Sequence, residues 1–218
     1  MAIKKTTEVL EIRPIEIQKV NLRIVGDTPL IMHAWSEKAK RMMLEAQMGL
    51  AKGKKKEPKN PVEDFIRSMY WLTDMPEEMT EKAFDEAIRN GARFGFPVTA
   101  FKQAAISAAY RMGWAKDKVS LRGAFFIDSD ENGMIEIHSD APKMREDMVK
   151  VGMGTADIRY RGEFANWYAD MTISYNMNGN YSLENIMNII NAGGYICGVG
   201  EWRPEKDGQY GMFHVANG

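Results

Sequence analysis

The chain has a single cysteine, Cys197, among its 218 residues. One thiol excludes an internal disulfide and a cysteine-rich zinc site. Set in the apolar run Tyr195-Ile196-Cys197, it reads as a small buried hydrophobe. There are three histidines, His33, His138 and His214, and none stands at the HxxxH type of ligand spacing. No apolar stretch approaches the length of a membrane span, and Met1-Ala2-Ile3-Lys4-Lys5 leads into no signal-peptide core. A cytoplasmic protein (the host cytoplasm if phage-encoded) with no membrane partner is therefore expected. The net charge of −1 excludes a simple polycation, so any nucleic-acid site must come from local segregation of charge. GxSxG, Walker and Rossmann fingerprints are missing, and VGMG and MGTAD are not phosphate loops. No cofactor and no resident metal are expected.

What is present is a core. Hydrophobic residues make up 44% of the chain, which excludes a disordered polymer and allows one domain with an insertion. The 17 methionines suit adaptable packing surfaces. Residues 1–14 are polar and read as an arm. In residues 16–25, Val20, Leu22 and Ile24 alternate with Asn21 and Arg23, the pattern of a strand with one buried face. After the turn at Gly26-Asp27-Thr28-Pro29, Leu30-Ile31-Met32 is apolar again.

Residues 36–113 read as a helical insertion. Ser36 suits an N-cap, and Ala39, Met42, Met43, Ala46 and Leu50 follow the helical period opposite Lys38, Lys40 and Arg41. Residues 52–61 form a lysine-rich loop that extends this basic face. Further helices are expected over residues 62–72, over residues 80–88 with Thr80 as cap, and over residues 100–112 with Thr99 as cap. In the last of these, four alanines allow close packing. Residues 114–218 supply the remaining sheet. A hairpin joins residues 121–127 to 134–137 around Asp128-Ser129-Asp130-Glu131-Asn132-Gly133. Ser139 stands where a calcium loop needs its closing Glu, so the segment reads as a turn. Residues 140–156 read as irregular. Residues 158–161 and 169–175 both alternate and are expected to pair, exposing Arg159 and Arg161 beside aromatics. Ser182 caps a last helix, and residues 212–215 form a closing strand. The order strand, helices, strands, helix, strand fits an α+β fold: a ferredoxin-like/RRM-like antiparallel sheet with a helical insertion after the first strand.

Between that last helix and strand lies AGGYICGVGEWRPEKDGQYGMFHV. The helical pattern ends at Gly193-Gly194. Dense glycine lets backbone N–H groups approach a ligand, and Trp202, Arg203, Lys206 and Tyr210 add cations and aromatics suited to a phosphodiester chain. The same stretch also reads as a glycine-rich hairpin that turns a corner. The paired glycines of GVG and GQYG around a charged insert resemble the glycine-rich loop of the RAMP superfamily, the RNA-binding proteins of CRISPR systems. The insert is longer than that family's and contains Pro204. Together, TPLIMHAWS and GVGEWRPEKDGQYG also resemble small proteins of tailed bacteriophages.

The resemblance implies an RRM-like core that forms a homo-oligomer along single-stranded DNA or RNA. Lys38, Arg41, Lys54, Lys55 and Lys56 would contact phosphates. Arg159, Arg161, Arg203 and Lys206 would line the sheet face and the loop, with Gly198 and Gly200 letting the strand approach. Trp202 and Tyr210 would stack bases. In a phage the corresponding role is strand binding or annealing in replication and recombination. The alternatives are a nuclease, through His33 as acid or base or through Asp157, Glu163 and Asp170 as metal ligands, and an interaction protein that blocks a host defence complex.

Overall fold

The computed structural model describes residues 13–35, 37–50, 58–151 and 154–216. In chain order the strands and helices are β1 (Ile17–Gly26), β2 (Leu30–Met32), α1 (Glu37–Gln47), α2 (Pro61–Arg67), α3 (Glu81–Arg89), β3 (Phe94–Pro97), α4 (Val98–Arg111), α5 (Lys118–Arg122), β4 (Phe125–Ile127), β5 (Met134–Ile137), β6 (Lys143–Val151), β7 (Thr155–Phe164), β8 (Tyr168–Asn176), α6 (Leu183–Ala192) and β9 (Phe213–Val215). The fold is α+β, with antiparallel sheets and helices.

The alternation in β1 becomes the centre of a four-stranded sheet in the order β4-β8-β1-β9. Val20, Leu22 and Ile24 lie opposite Ile173, Met171 and Ala169 of β8, all on one face. On the other face, Lys19, Asn21 and Arg23 lie opposite Ser174, Thr172 and Asp170. Because strand side chains alternate between faces, this register buries one apolar set and leaves the polar set open. Helices α4 and α6 pack against each other and against strands of this sheet. Ala104, Ala105, Ala108 and Ala109 of α4 are buried, as are Ile186, Ile189 and Ile190 of α6. The small alanine side chains allow the close approach that the sequence foretold. Ser182 caps α6 in a reciprocal capping box with Asn185, and Thr80 caps α3, both as expected.

The ribbon formed by β1 and β8 bends and continues as β2 paired with β7, with β6 on the far side of β7. Trp167 fills the bend. It is buried, and its indole Nε1 donates to the Thr28 carbonyl at 2.8 Å. A Cβ at Gly26 would lie 2.1 Å from that indole nitrogen, so only glycine fits there.

Several expectations give way to tertiary pairing. Strands β4 and β5 do not form a hairpin with each other: β4 pairs with β8, and β5 pairs with β3. Phe94 and Phe96 of β3, a strand that lies between two expected helices, sit opposite Ile137 and Ile135 and join the core. Strands β7 and β8 likewise belong to different sheets. Residues 143–151 are not irregular but form β6, whose Arg145 and Asp147 pair across the ladder with Glu163 and Arg161 of β7. Helix α2 stops at Arg67 because Ser68 turns the chain. Helix α4 begins at Val98 after Pro97, with no side-chain cap from Thr99. Met42, Met43 and Leu50 are exposed rather than inward. The arm up to residue 12, the Ser36 cap and Lys54, Lys55 and Lys56 of the basic loop lie outside the described residues.

Candidate functional site

The glycine-rich segment is organised by the end of α6. The helix does not stop at Gly193-Gly194. It passes into a π-helical turn, Gly193–Cys197, and terminates at Gly198, whose φ of +63° glycine adopts without strain. From there the loop is stitched to β2 and to itself. Glu201 N–H donates to the Ile31 carbonyl at 2.9 Å, and Gly211 N–H to the Pro29 carbonyl at 2.8 Å. Val199 N–H donates to Gly211 and Tyr210 N–H to Trp202. A Cβ at Gly208 would lie 1.7 Å from the Trp202 carbonyl oxygen. The glycine there serves internal backbone contact, and the N–H groups of Gly198, Gly208 and Gly211 are taken by the chain's own carbonyls. This corrects the expectation of backbone donors held ready for a ligand.

Between the loop, the end of β2 and the start of α4 lies a cavity of about 280 Å³. His33, Tyr70, Thr99, Gln103, Gly198, Gly200, Glu201, Arg203 and Glu205 are among its lining residues. Behind it stands Arg161, 4% exposed. Its Nη1 is 3.1 Å from Asp147 Oδ2 and its Nη2 is 3.3 Å from Glu201 Oε2. The same Nη2 lies 3.5 Å from His33 Nδ1, which is itself 3.9 Å from Glu201 Oε1. Arg161 Nε is buried with no hydrogen-bond partner. Burial first, and the Arg161 charge second, hold the His33 imidazole below its ordinary pKa. Burial pushes the Tyr70 phenol up, aided by the Glu201 carboxylate. The cavity thus joins a neutral imidazole, a protonated phenol and a guanidinium.

Arg161 is therefore not on an exposed sheet face, which corrects the alternation reading: it is buried and faces Glu201 of the loop. Arg159 is half-buried and paired with Asp157 at 2.8 Å. Arg203 donates to the Gly200 carbonyl at 2.9 Å and meets Glu205 at 3.2 Å. Lys206 is exposed in a short 3-10 turn, Pro204–Lys206. Trp202 is 37% exposed at φ +52°. The Arg145 guanidinium lies 4.5 Å over the Tyr210 ring, so that face is already occupied. Arg41 is exposed, 3.9 Å from Glu45 on the next turn of α1. Lys38 lies in α1, and its side chain is outside the described set.

The proposed metal ligands part company. Asp157 pairs with Lys59 and Arg159, Glu163 with Arg145, and Asp170 with Arg23. No group of three metal-ligating side chains occurs among the described residues. The histidines are apart too: His138 stacks on Tyr168 with centroids 4.7 Å apart, and His214 Nδ1 contacts Asp27 at 2.7 Å. No helix among the described residues is long and apolar enough to cross a membrane.

Sequence reasoning passed over Arg145, Asp147, Tyr70 and Gln103. The first two carry a signal in hindsight, because a base and an acid two residues apart, Arg145 and Asp147, share one strand face and suit a strand that satisfies its charges across a ladder. Compared with known proteins, the chain matches no family model and no curated protein.

Proposed function

We propose that this chain is a single-stranded nucleic-acid-binding protein on a ferredoxin-like, RRM-like core, akin to the RAMP superfamily. The observation that carries the reading is the strand order. Taken as β1, β4, β8 and β9, the four strands lie in space as fourth, first, third, second, and α4 and α6 are the crossovers packed on one face. That order supports the ferredoxin-like reading, and in RNA-binding proteins of that architecture the sheet and its neighbouring loops take unstacked bases. The position of the glycine-rich loop between α6 and β9 supports the RAMP resemblance as the basis of the reading. Met42, Met48 and Leu50 around α1, with Met148 and Ile158 on the second sheet, leave apolar surface that suits side-by-side copies along a strand. In a phage the role is binding or annealing of single strands during replication or recombination.

Fluorescence anisotropy with labelled single-stranded DNA, single-stranded RNA and duplex, at two salt concentrations, tests the reading. Salt-sensitive binding to a single strand is expected. No binding at low salt overturns it and favours the interaction-protein reading. If Trp202→Ala with Arg203→Ala leaves the affinity unchanged, the loop is not part of the interface.

A second reading, a nuclease with His33 as general base, is favoured by the neutral imidazole beside Arg161 in the cavity. A cleavage time course with and without Mg²⁺, repeated with His33→Ala, separates it from binding alone.

A further inference from the structure

Of the cations that the sequence offered for phosphate binding, Arg159, Arg161 and Arg203 each meet a carboxylate within 3.3 Å. Lys19, Arg23 and Arg145, elsewhere on the two sheets, are paired as closely. Residues 98–123, covering α4 and α5, differ. In a chain of net charge −1 they hold five basic residues against one acid, Asp117, and the Asp117 carboxylate accepts from the Ser120 N–H as the cap of α5. Lys118 has no carboxylate partner among the described residues. Its Nζ lies 3.2 Å from the Ser107 hydroxyl and 5.6 Å from the Tyr110 ring centroid. Lys116 is exposed, with no ion pair among the described residues.

The same segment concentrates exposed aromatics. Tyr110 and Trp114 are each 47% exposed, and Tyr195, on the π turn that packs against α4, is 72% exposed. These positions are not scattered. Gln103, Ser107, Tyr110, Arg111 and Trp114 recur at three- and four-residue intervals and so share one face. Trp114 is held past the helix end by a Schellman arrangement, with its N–H on the Ala109 carbonyl at 3.0 Å and the Gly113 N–H on Tyr110 at 3.1 Å. The face begins at the cavity, which Gln103 lines. Along its length Arg111 joins it to the glycine-rich loop, 2.9 Å from Glu205. At 1.5 Å per residue the face runs about 16 Å from Gln103 to Trp114.

We infer that this face of α4, continued by α5 and bordered by Tyr195, is the track on which a single nucleic-acid strand lies, with Tyr110 and Trp114 stacking bases and Lys116 and Lys118 neutralising phosphates. The inference rests on the single-strand reading above and says where the strand runs. The occupant follows from chemistry. Exposed rings interleaved with cations that have no carboxylate fit a polyanion carrying flat bases, because each ring offers a sequence-tolerant stacking surface and each lysine a counterion-release contact. An acidic peptide would match the charge and leave the rings unused.

The test uses the full chain and labelled oligodeoxythymidylate and oligouridylate of equal length. Tyr110→Ala with Trp114→Ala should weaken binding at least tenfold with the melting temperature retained, since both rings are exposed. Lys116→Gln with Lys118→Gln should make the slope of log K against log salt shallower by about 1.4, the single-strand expectation for two phosphates. An oligonucleotide bearing 5-iodouracil should crosslink to the peptide that contains Tyr110 and Trp114. If the wild-type protein binds and both double variants bind within twofold of it, with crosslinks elsewhere, the track is wrong and the single-strand reading stands. If the wild-type protein binds no single strand at low salt, that reading fails and the track with it. Displacement by polyglutamate as readily as by unlabelled oligonucleotide overturns the track as a base-stacking surface.

Discussion

Glu201 of the glycine-rich loop lies 3.3 Å from Arg161 of β7, and Arg161 in turn is 3.1 Å from Asp147 of β6. The glycine-rich loop and the adjacent strands β6 and β7 are thereby joined through one buried guanidinium. Arg161 and Asp147 side chains are 5% and 6% exposed, so their charges are almost fully removed from water and each depends on the other.

Removing Arg161 leaves Asp147 with Arg145 as its remaining partner. Arg161→Met should therefore cost about 3 kcal/mol, the low end of the range for breaking a buried ion pair. Denaturant unfolding of Arg161→Met, Asp147→Leu and the double variant checks it. The double variant should be less destabilised than the two single losses added together. Strict additivity would show that the pair is not coupled.

His33 should make stability depend on pH in a defined direction. Its folded pKa lies below the ordinary value of 6.5, so the unfolded chain binds the proton more readily. The contribution is fully present above pH 6.5 and is lost as the pH falls towards the folded value. Melting curves between pH 5 and pH 8 on the wild type and His33→Gln should differ in slope on the acid side and run parallel above pH 7. Parallel curves throughout would show that the environment of His33 exerts no such pull.

The bend between the two sheets should tolerate no added methyl. Gly26→Ala drives a Cβ into the Trp167 indole and should cost about 1–3 kcal/mol, as overpacking of a filled core does. Trp167→Ala empties the same site and should cost about 3–5 kcal/mol. Thermal unfolding of both variants reads these losses, and an unchanged Gly26→Ala protein would mean that the indole moves aside at no cost.

Cys197 is fully buried, and burial raises its thiol pKa. A thiol reagent should therefore modify it only through opening of the π turn, at a rate well below that of an unfolded control. Fast modification of the native protein would show that the turn opens readily. Arg111 Nη1 lies 3.8 Å from the sulfur, so the same rate monitors the contact between α4 and the glycine-rich segment.

Local chemistry alone determined β1, β2, α3, α6 and β9. Each has a period or a cap that needs no distant partner: the alternation around Leu22, Thr80 before α3, Ser182 with Asn185 at α6. The burial of Cys197 was legible for the same reason, as an apolar run predicts it. Tertiary structure decided what pairs with what. Residues 143–151 looked irregular because their charges are answered by residues of β7, which no window on the segment contains. The strand around Phe94 and Phe96 was not legible because β3 is short and its partners, Ile137 and Ile135, lie some forty residues away. Alternation showed that Arg161 lies on one face of a strand but not which face is covered, and that cover comes from the glycine-rich loop. The basic loop drew attention by composition. The α4 face escaped it, because its rings and lysines are spread by helical spacing and converge only when the chain is wound.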